Sequence, residues 1–308
     1  MSDSLFNEIR LWMHRNAREL ELSLWRALYE NGSVEDVLHA LAPYQNEDGG
    51  FGHALEADSW NPRSTPYTTL TALGMLRTVG FAQESHPLFQ GALRYFASGA
   101  ELTEQGWRFS VATNNEYPHA PWWSYDEQAN ATENIGLTAG IAAIVLTHRE
   151  ACAPVYDRAL ALATRFARRL MEGESLGEMG LGGLAELMPV LRALGVEGLD
   201  YDLLQARLFE RGNQSIERDP AKWSQYTVRP SQLIRGPESP FYPGNEALVE
   251  KEIDFLLATR EPGGVWPITW TWFGLMEQYA PQFAISENWW KATRAMETLA
   301  FLRAFGRA

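Results

Sequence analysis

Cysteine is almost absent from the chain, which contains only Cys152 among 308 residues. A single cysteine excludes an intrachain disulfide bond. The surrounding sequence, REACAPVYD, offers no recognisable context for a nucleophile, so we predict a small buried side chain at this position. The N-terminal stretch MSDSLFNEIR carries acids where a signal peptide has a basic and then an apolar region. Together these features predict a cytoplasmic protein.

Basic residues and long apolar runs are also scarce. There are 26 Lys and Arg against 39 Asp and Glu, which gives a net charge of −13. This balance argues against a nucleic-acid partner and against docking on anionic lipid, because both need clustered cations. The longest strongly apolar stretch, GLTAGIAAIVL at 136–146, is too short to span a bilayer. We therefore do not expect an integral membrane protein.

Alternation of apolar and polar residues with period two is nearly missing, whereas spacings of three and four recur throughout. This pattern predicts an all-α fold. No linker or change of composition divides the chain, so we predict one domain over 1–308. The predicted helices cover 5–32, 33–44, 65–80, 86–98, 131–148, 153–172, 183–194, 199–211, 245–259 and 286–305.

Two short patterns repeat along the chain and indicate an array of helix pairs. LRTVG (76–80), LRALG (191–195) and LRAFG (302–306) each close an apolar helix, with arginine in the last turn and a terminating glycine. QNEDGGFG (45–52), EQGWRF (104–109) and REPGGVWP (260–267) each follow a helix. Helices with few charges alternate with helices that are charged on one face, which predicts an α/α toroid of inner and outer helices.

The turn YQNEDGGFG resembles the glutamine–tryptophan motif of terpenoid cyclases of the squalene–hopene type and the related repeat of protein prenyltransferase β subunits. Gln45, Gly49, Gly50 and Phe51 match that motif, and the later turn matches it through the pair Gly263-Gly264 together with Trp266. The resemblance implies an α/α toroid whose central cavity takes an isoprenoid.

The catalytic motifs of these families are not carried over. The protonating Asp-x-Asp-Asp of the cyclases is absent, with Glu56-Ala57-Asp58 as its nearest counterpart, and the zinc ligands of the prenyltransferases are not recognisable. We expect no metal and no cofactor. The turn at 45–52 also lacks the preceding strand and the Lys-Ser/Thr of a phosphate loop. We interpret it as structural, with Gln45 bonding backbone groups and the glycines allowing positive φ.

Three long segments rich in aromatic and acidic residues follow these turns, at 53–64, 110–130 and 268–290. A compact domain rarely has such long loops without a use. Most of the twelve tryptophans lie in non-helical stretches, which favours an aromatic-lined pocket over a simple cap at the barrel end. The residues that we expect to bind substrate are His53, Trp60, Trp122, Trp123, Asp126, Trp266, Trp270 and Trp272.

His119 is the strongest single catalytic candidate, because flanking prolines and tryptophans would fix the direction of its imidazole. Glu56 and Asp58 are candidates for a general acid or base, although solvated turn carboxylates are the default. His53 lies close to them in sequence, but the spacing matches no established metal site. We interpret the NATEN sequence as a helix start capped by Asn130.

The segment 213–244 has four prolines and no clear period, and it is locally basic. It is either a lid or a structural strap, and its cations are expected to pair mostly with the acids of the chain itself. Three functions stay open: a terpenoid-cyclase-like or prenyltransferase-like protein that binds or transforms an isoprenoid, a carbohydrate hydrolase or lyase on an α/α barrel, and a non-catalytic interaction module.

Overall fold

Helices make up 62% of the computed structural model and strands 3%, which confirms the predicted all-α class. The structure describes residues 2–174, 176 and 180–308. The chain divides into two compact units, of which unit 1 comprises Met1–Val37 with Gly212–Ala308 and unit 2 comprises Leu38–Arg211. The arrangement as a single toroidal domain stays a prediction.

Twelve α-helices lie in the described residues. They are α1 (Ser2–Asn16), α2 (Glu19–Tyr29), α3 (Val34–Leu41), α4 (Pro66–Thr78), α5 (Pro87–Ala97), α6 (Glu127–Thr147), α7 (Ala153–Met171), α8 (Gly180–Ala193), α9 (Tyr201–Ser215), α10 (Pro230–Leu233), α11 (Glu246–Ala258) and α12 (Met276–Ala304). A two-stranded antiparallel sheet is formed by β1 (Leu102–Thr103) and β2 (Gly106–Trp107).

Helix starts follow the local sequence signals. The Thr65 hydroxyl accepts a hydrogen bond from the Thr68 N–H at 3.0 Å, and proline occupies the first position of α4. At the start of α3, the Asp36 N–H donates to Ser33 Oγ at 3.1 Å and the Ser33 N–H donates to the Asp36 carboxylate at 3.3 Å. This is the reciprocal arrangement of a capping box, with aspartate in place of the usual glutamate.

Helix ends follow their signals equally closely. The three glycines that end the repeated LR-x-x-G pattern are left-handed, with φ of 69° at Gly80, 64° at Gly195 and 68° at Gly306. In each case the next residue donates its N–H back to the carbonyl of the pattern's leucine, for example from Phe81 to Leu76 at 3.0 Å. These bonds satisfy carbonyls that a helix end otherwise leaves without a partner.

The first and last predicted helices have wrong boundaries. The stretch 5–32 forms two helices, because Arg18 takes an extended conformation (φ −68°, ψ 162°) between α1 and α2. The last helix, predicted at 286–305, begins ten residues earlier at Met276. Its first turns are interrupted by a non-helical Tyr279, which precedes Pro281 and accommodates the proline inside the helix.

The first and last glycine turns have the same hydrogen-bond pattern. In the first turn the Asn46 N–H donates to the Gly50 carbonyl at 2.8 Å, and in the last turn Glu261 donates to Val265 at 2.8 Å. Gly49 (φ 90°) donates its N–H to the Asn46 carbonyl, and Gly264 (φ 91°) donates to the Glu261 carbonyl. Gly263 is also left-handed, with φ of 108°. By these hydrogen bonds Gly49 corresponds to Gly264 and Gly50 to Val265. Aligning the pair Gly49-Gly50 with the pair Gly263-Gly264 by sequence is therefore wrong by one residue.

Helix α6 forms the centre of unit 2, where it packs against α4, α5, α7, α8 and β2. It approaches α8 closely, because a Cβ placed on Gly183 would lie 1.9 Å from the Gly136 carbonyl oxygen. Among the described helices α6 alone is long and apolar enough to cross a membrane, and 72% of the relevant window is buried inside the protein. Burial of this kind is expected of a core helix, so α6 is weak evidence for a membrane span.

Unit 1 is organised around α12, which packs against α1 and α2, while α10 packs against α11. The hydroxyl of Tyr29 donates to the Met296 carbonyl at 2.9 Å and joins α2 to α12. Burial raises the pKa of Tyr29 to about 12. The phenol therefore stays neutral and keeps its role as a donor at physiological pH.

Candidate functional site in unit 2

Two of the three predicted segments come together in unit 2. The Ala120 N–H donates to the Asp58 carbonyl at 2.8 Å, and the Trp60 N–H donates to the Pro118 carbonyl at 2.9 Å. Ser59 and His119 form an antiparallel bridge between these bonds. We call residues 53–61 and 112–126 the paired loops. The third segment, 268–290, belongs to unit 1.

Asn61 joins the paired loops through its side chain. Its Nδ2 group donates to Thr113 Oγ1 and to Asn114 Oδ1, both at 2.8 Å. Asn114 in turn donates to the Trp123 carbonyl at 3.0 Å. Both asparagines are about 2% exposed. This network was not predicted, because asparagines in long loops are the only signal for it in the sequence.

The two candidate carboxylates are buried rather than solvated. Glu56 is 6% exposed and Asp58 is 1% exposed, so the default interpretation as solvated turn residues is wrong. The Asp58 N–H donates to Glu56 Oε2 at 2.6 Å. The loop folds inward at His53 and Ala54, which are both left-handed, with φ of 57° and 59°. Such conformations are unfavourable for residues other than glycine and often occur at functional sites.

His119 is buried and its ring is held at both nitrogens. Nδ1 lies 2.6 Å from the Tyr117 carbonyl oxygen, and Nε2 lies 3.0 Å from Ser124 Oγ. A carbonyl only accepts, so Nδ1 carries the proton of the neutral ring. The ring therefore accepts a hydrogen bond from the Ser124 hydroxyl at Nε2.

An aromatic cluster lies next to the second of the paired loops. Phe109 and Trp123 are stacked with ring centroids 4.7 Å apart and an interplanar angle of 18°. Tyr67 contacts both rings edge-on, at 4.5 Å from Trp123 and 5.5 Å from Phe109. We use the name aromatic cluster for these three residues. Two of the predicted tryptophans lie outside the cluster: Trp122 is 37% exposed, and Trp60 is half-buried.

His53 and Asp126 have structural partners in the described contacts. His53 is exposed and its Nε2 group lies 2.9 Å from Asn46 Oδ1, which ties it to the glycine turn. Asp126 is the N-cap of α6 and accepts N–H bonds from Gln128 and Ala129. The prediction that Asn130 caps this helix is wrong, because Asn130 lies inside α6, where it bonds the backbone of Phe109 and Ser110.

The predicted tryptophans of unit 1 are buried in its core. Trp266 donates to the Leu256 carbonyl at 2.7 Å, and Trp272 contacts Phe283 edge-on. Trp270 is 9% exposed and meets Trp290 edge-on at 5.2 Å. The guanidinium of Arg294 lies 5.3 Å from the Trp270 ring centroid, a cation–π contact.

Two of the basic residues of 213–244 pair with acids of unit 1. Lys222 Nζ lies 3.4 Å from a carboxylate oxygen of Glu217, and Arg229 Nε lies 3.5 Å from Glu252. Glu252 is fully buried and accepts two hydrogen bonds from Ser231. Burial raises the pKa of Glu252 and lowers that of Arg229. The pairing supports the interpretation of this segment as a strap.

Within residues 2–174, 176 and 180–308, no group of three or more His, Cys, Asp or Glu side chains is placed to hold a metal ion. Cys152 is buried, and burial raises its pKa to about 11, so its thiol stays protonated. Comparisons with protein-family models, with curated proteins and with solved structures find no match for the chain.

Proposed function

We propose that unit 2 binds a neutral isoprenoid at the aromatic cluster and the paired loops. The stacked rings of Phe109 and Trp123, with Tyr67 set edge-on, are the observation that carries this proposal. Phe109 and Tyr67 are half-buried and Trp123 is buried behind them, so the first two rings offer an apolar surface to a hydrocarbon chain. Their faces also attract a carbocation through the ring quadrupole.

The buried carboxylates of the first loop supply the acid chemistry in this proposal. Glu56 Oε2 accepts the Asp58 N–H, a bond that stabilises a carboxylate. Asp58 is the more deeply buried of the two, at 1% exposed against 6% for Glu56, and we assign proton donation to it. Its carboxyl proton would pass to an alkene carbon or an epoxide oxygen, leaving a carbocation in the substrate and a carboxylate on the protein. Loss of a proton from the cation to that carboxylate would restore the acid and complete a cyclisation or isomerisation.

A binding experiment tests whether the protein binds an isoprenoid. Farnesol, geranylgeraniol, squalene, maltohexaose and cellohexaose are each added to the protein, and melting temperature and tryptophan fluorescence are recorded. We expect the isoprenoids to raise the melting temperature and the oligosaccharides to leave it unchanged. Phe109→Leu removes one ring face and is expected to weaken isoprenoid binding by about tenfold, from the energy of one aromatic pair. Phe209→Leu is the control, because Phe209 is 40% exposed on α9.

The outcomes separate the competing functions. A rise in melting temperature with oligosaccharides alone would reject the isoprenoid proposal in favour of carbohydrate chemistry. Isoprenoid binding that is lost equally in both phenylalanine variants would reject the aromatic cluster as the site. Catalysis is tested separately, by mass spectrometry of squalene and oxidosqualene after incubation. Conversion that persists in Asp58→Asn would reject the assigned acid.

A further inference from the structure

We propose that Ser124 and His119 form a nucleophilic dyad that reacts with esters carrying an apolar group. The inference stands on the contact between Ser124 Oγ and His119 Nε2, at 3.0 Å. It is independent of isoprenoid binding and uses a residue, Ser124, to which the sequence assigned no role.

The protonation state of the ring makes the contact productive. Nδ1 is 2.6 Å from the Tyr117 carbonyl oxygen and must carry the proton. Nε2 then presents its lone pair to the Ser124 hydroxyl. A serine activated by a histidine whose second nitrogen is oriented by a third group is the general arrangement of hydroxyl nucleophiles. Here the Tyr117 backbone carbonyl is the orienting group.

The backbone around Ser124 is fixed on both sides. The Ser124 N–H donates to the Pro121 carbonyl at 3.1 Å and closes the short 3-10 turn Pro121–Trp123. The next N–H, from Tyr125, donates to Asn115 Oδ1 at 2.9 Å. Asp126 then caps α6. The two peptide N–H groups flanking the Ser124 Cα are therefore anchored, and the 3.0 Å contact places its hydroxyl on the histidine.

Accessibility differs between the two partners in the way the reaction requires. Ser124 is exposed, so a substrate can reach its hydroxyl. His119 is 6% exposed, so the base is largely shielded from water. Trp122, two residues before Ser124, is 37% exposed. Its ring offers an apolar surface near the nucleophile, which favours an ester with an apolar acyl or alcohol group.

The reaction follows from these positions. Ser124 Oγ attacks the ester carbonyl carbon while its proton moves to His119 Nε2. The tetrahedral intermediate collapses, the bond to the alcohol oxygen breaks, and His119 returns the proton to the leaving alcohol. Water then attacks the acyl-serine, with His119 again taking and returning a proton, and releases the carboxylic acid. One ester and one water give one acid and one alcohol.

A fluorophosphonate probe tests the dyad on the folded, full-length protein. The serine oxygen forms a bond to phosphorus, fluoride leaves, and the hydroxyl proton passes to His119. We expect labelling that maps by mass spectrometry to Ser124 and is absent in Ser124→Ala. His119→Asn keeps an amide donor for the Tyr117 carbonyl but removes the base, and should slow labelling by about a hundredfold. Ser98→Ala is the control, because Ser98 Oγ donates to the Tyr95 carbonyl.

A cysteine variant provides a second test that does not depend on loss of function. In Ser124→Cys the histidine should promote thiolate formation, so iodoacetamide should alkylate position 124 about tenfold faster than in the double variant with His119→Asn. The buried Cys152 gives a low background. Near-ultraviolet circular dichroism verifies that each variant is folded. Equal alkylation rates in the single and double variants, or no labelling of Ser124 in the folded wild type, would overturn the proposal.

Discussion

Arg260 occupies in the last glycine turn the position that Gln45 occupies in the first. Gln45 Nε2 donates to the Gly49 carbonyl at 2.9 Å, and Arg260 Nε donates to the Gly264 carbonyl at 3.3 Å. In each case the acceptor is the left-handed glycine four residues later. A side-chain N–H group at this position therefore closes both turns, although one is an amide and the other a guanidinium.

Replacing Gln45 by alanine is expected to destabilise the protein without changing ligand affinity. Gln45 Nε2 also donates to the Leu88 carbonyl at 2.9 Å, so the change removes two hydrogen bonds. We expect the free energy of unfolding to fall by about 1–2 kcal/mol, measured by urea denaturation. The exposed Gln83 provides the control variant Gln83→Ala. Unchanged stability combined with lost isoprenoid binding would contradict the structural role of Gln45.

Adjacent glycines at the start of α8 are expected to respond in opposite directions to alanine. The Cβ of Gly183→Ala would lie 1.9 Å from the Gly136 carbonyl oxygen, so α6 and α8 would have to separate. We expect a loss of about 1–3 kcal/mol from such overpacking. Gly182→Ala meets no atom within 4 Å and should gain about 0.5–1 kcal/mol through helix propensity. Thermal unfolding of both variants measures the difference, and equal shifts would reject the close approach of the helices.

Two buried threonine hydroxyls each accept a hydrogen bond from the backbone of a turn earlier in the chain. Thr69 Oγ1 accepts the Phe51 N–H, and Thr138 Oγ1 accepts the Trp107 N–H, both at 3.0 Å. Thr69→Val would leave a buried N–H without its partner and should cost about 1–3 kcal/mol in the free energy of unfolding. Thr71→Val is the control on the same helix, because Thr71 Oγ1 bonds only the Tyr67 carbonyl within α4 among the contacts described. An equal loss in both variants would mean that the Phe51 contact contributes nothing.

Local chemistry explains why much of the fold was predictable. A serine three residues before an acid indicates a helix start, and a glycine after LR-x-x indicates a helix end. Both signals act within one helical turn. The structure accordingly has a cap at Asp36 and a left-handed conformation at Gly80. The wrong boundary at Arg18 involves burial instead. Arg18 donates to Glu21, which is 2% exposed, and sequence periodicity does not report such burial.

The candidate site was likewise predictable only in part. Aromatic content and loop length identified the two segments that pair in unit 2. They did not identify Asn61 and Asn114, whose contact joins positions 53 residues apart. They also assigned Glu56 to solvent by default, because the inward turn has left-handed backbone at His53 and Ala54, a conformation that is uncommon for residues other than glycine and that this sequence does not signal.

Glu252 is expected to make stability depend on pH in a direction opposite to most carboxylates. Burial raises its pKa above the ordinary value of 4.5, so the folded state binds this proton more tightly than the unfolded state. Its contribution is fully present below pH 4.5 and is lost as pH rises through the raised pKa. Glutamine does not ionise, so the Glu252→Gln variant does not lose stability at this position as pH rises. We therefore expect the melting temperature of the variant, relative to wild type, to increase as pH rises from 4 to 8.

Glu246 provides a control of opposite sign on the same helix. Backbone N–H groups of Glu246 itself and Gly244 lower its pKa, so its contribution is present above pH 4.5 and is lost as pH falls. Glu246→Gln should therefore lower the melting temperature at pH 7 and have less effect at pH 4. The slope with pH is the decisive measurement, since replacing Glu252 also alters its contacts with Ser231 and Arg229, which shifts the melting temperature independently of the titration. A melting difference for Glu252→Gln that stays constant from pH 4 to 8 would show that burial does not raise the pKa of Glu252.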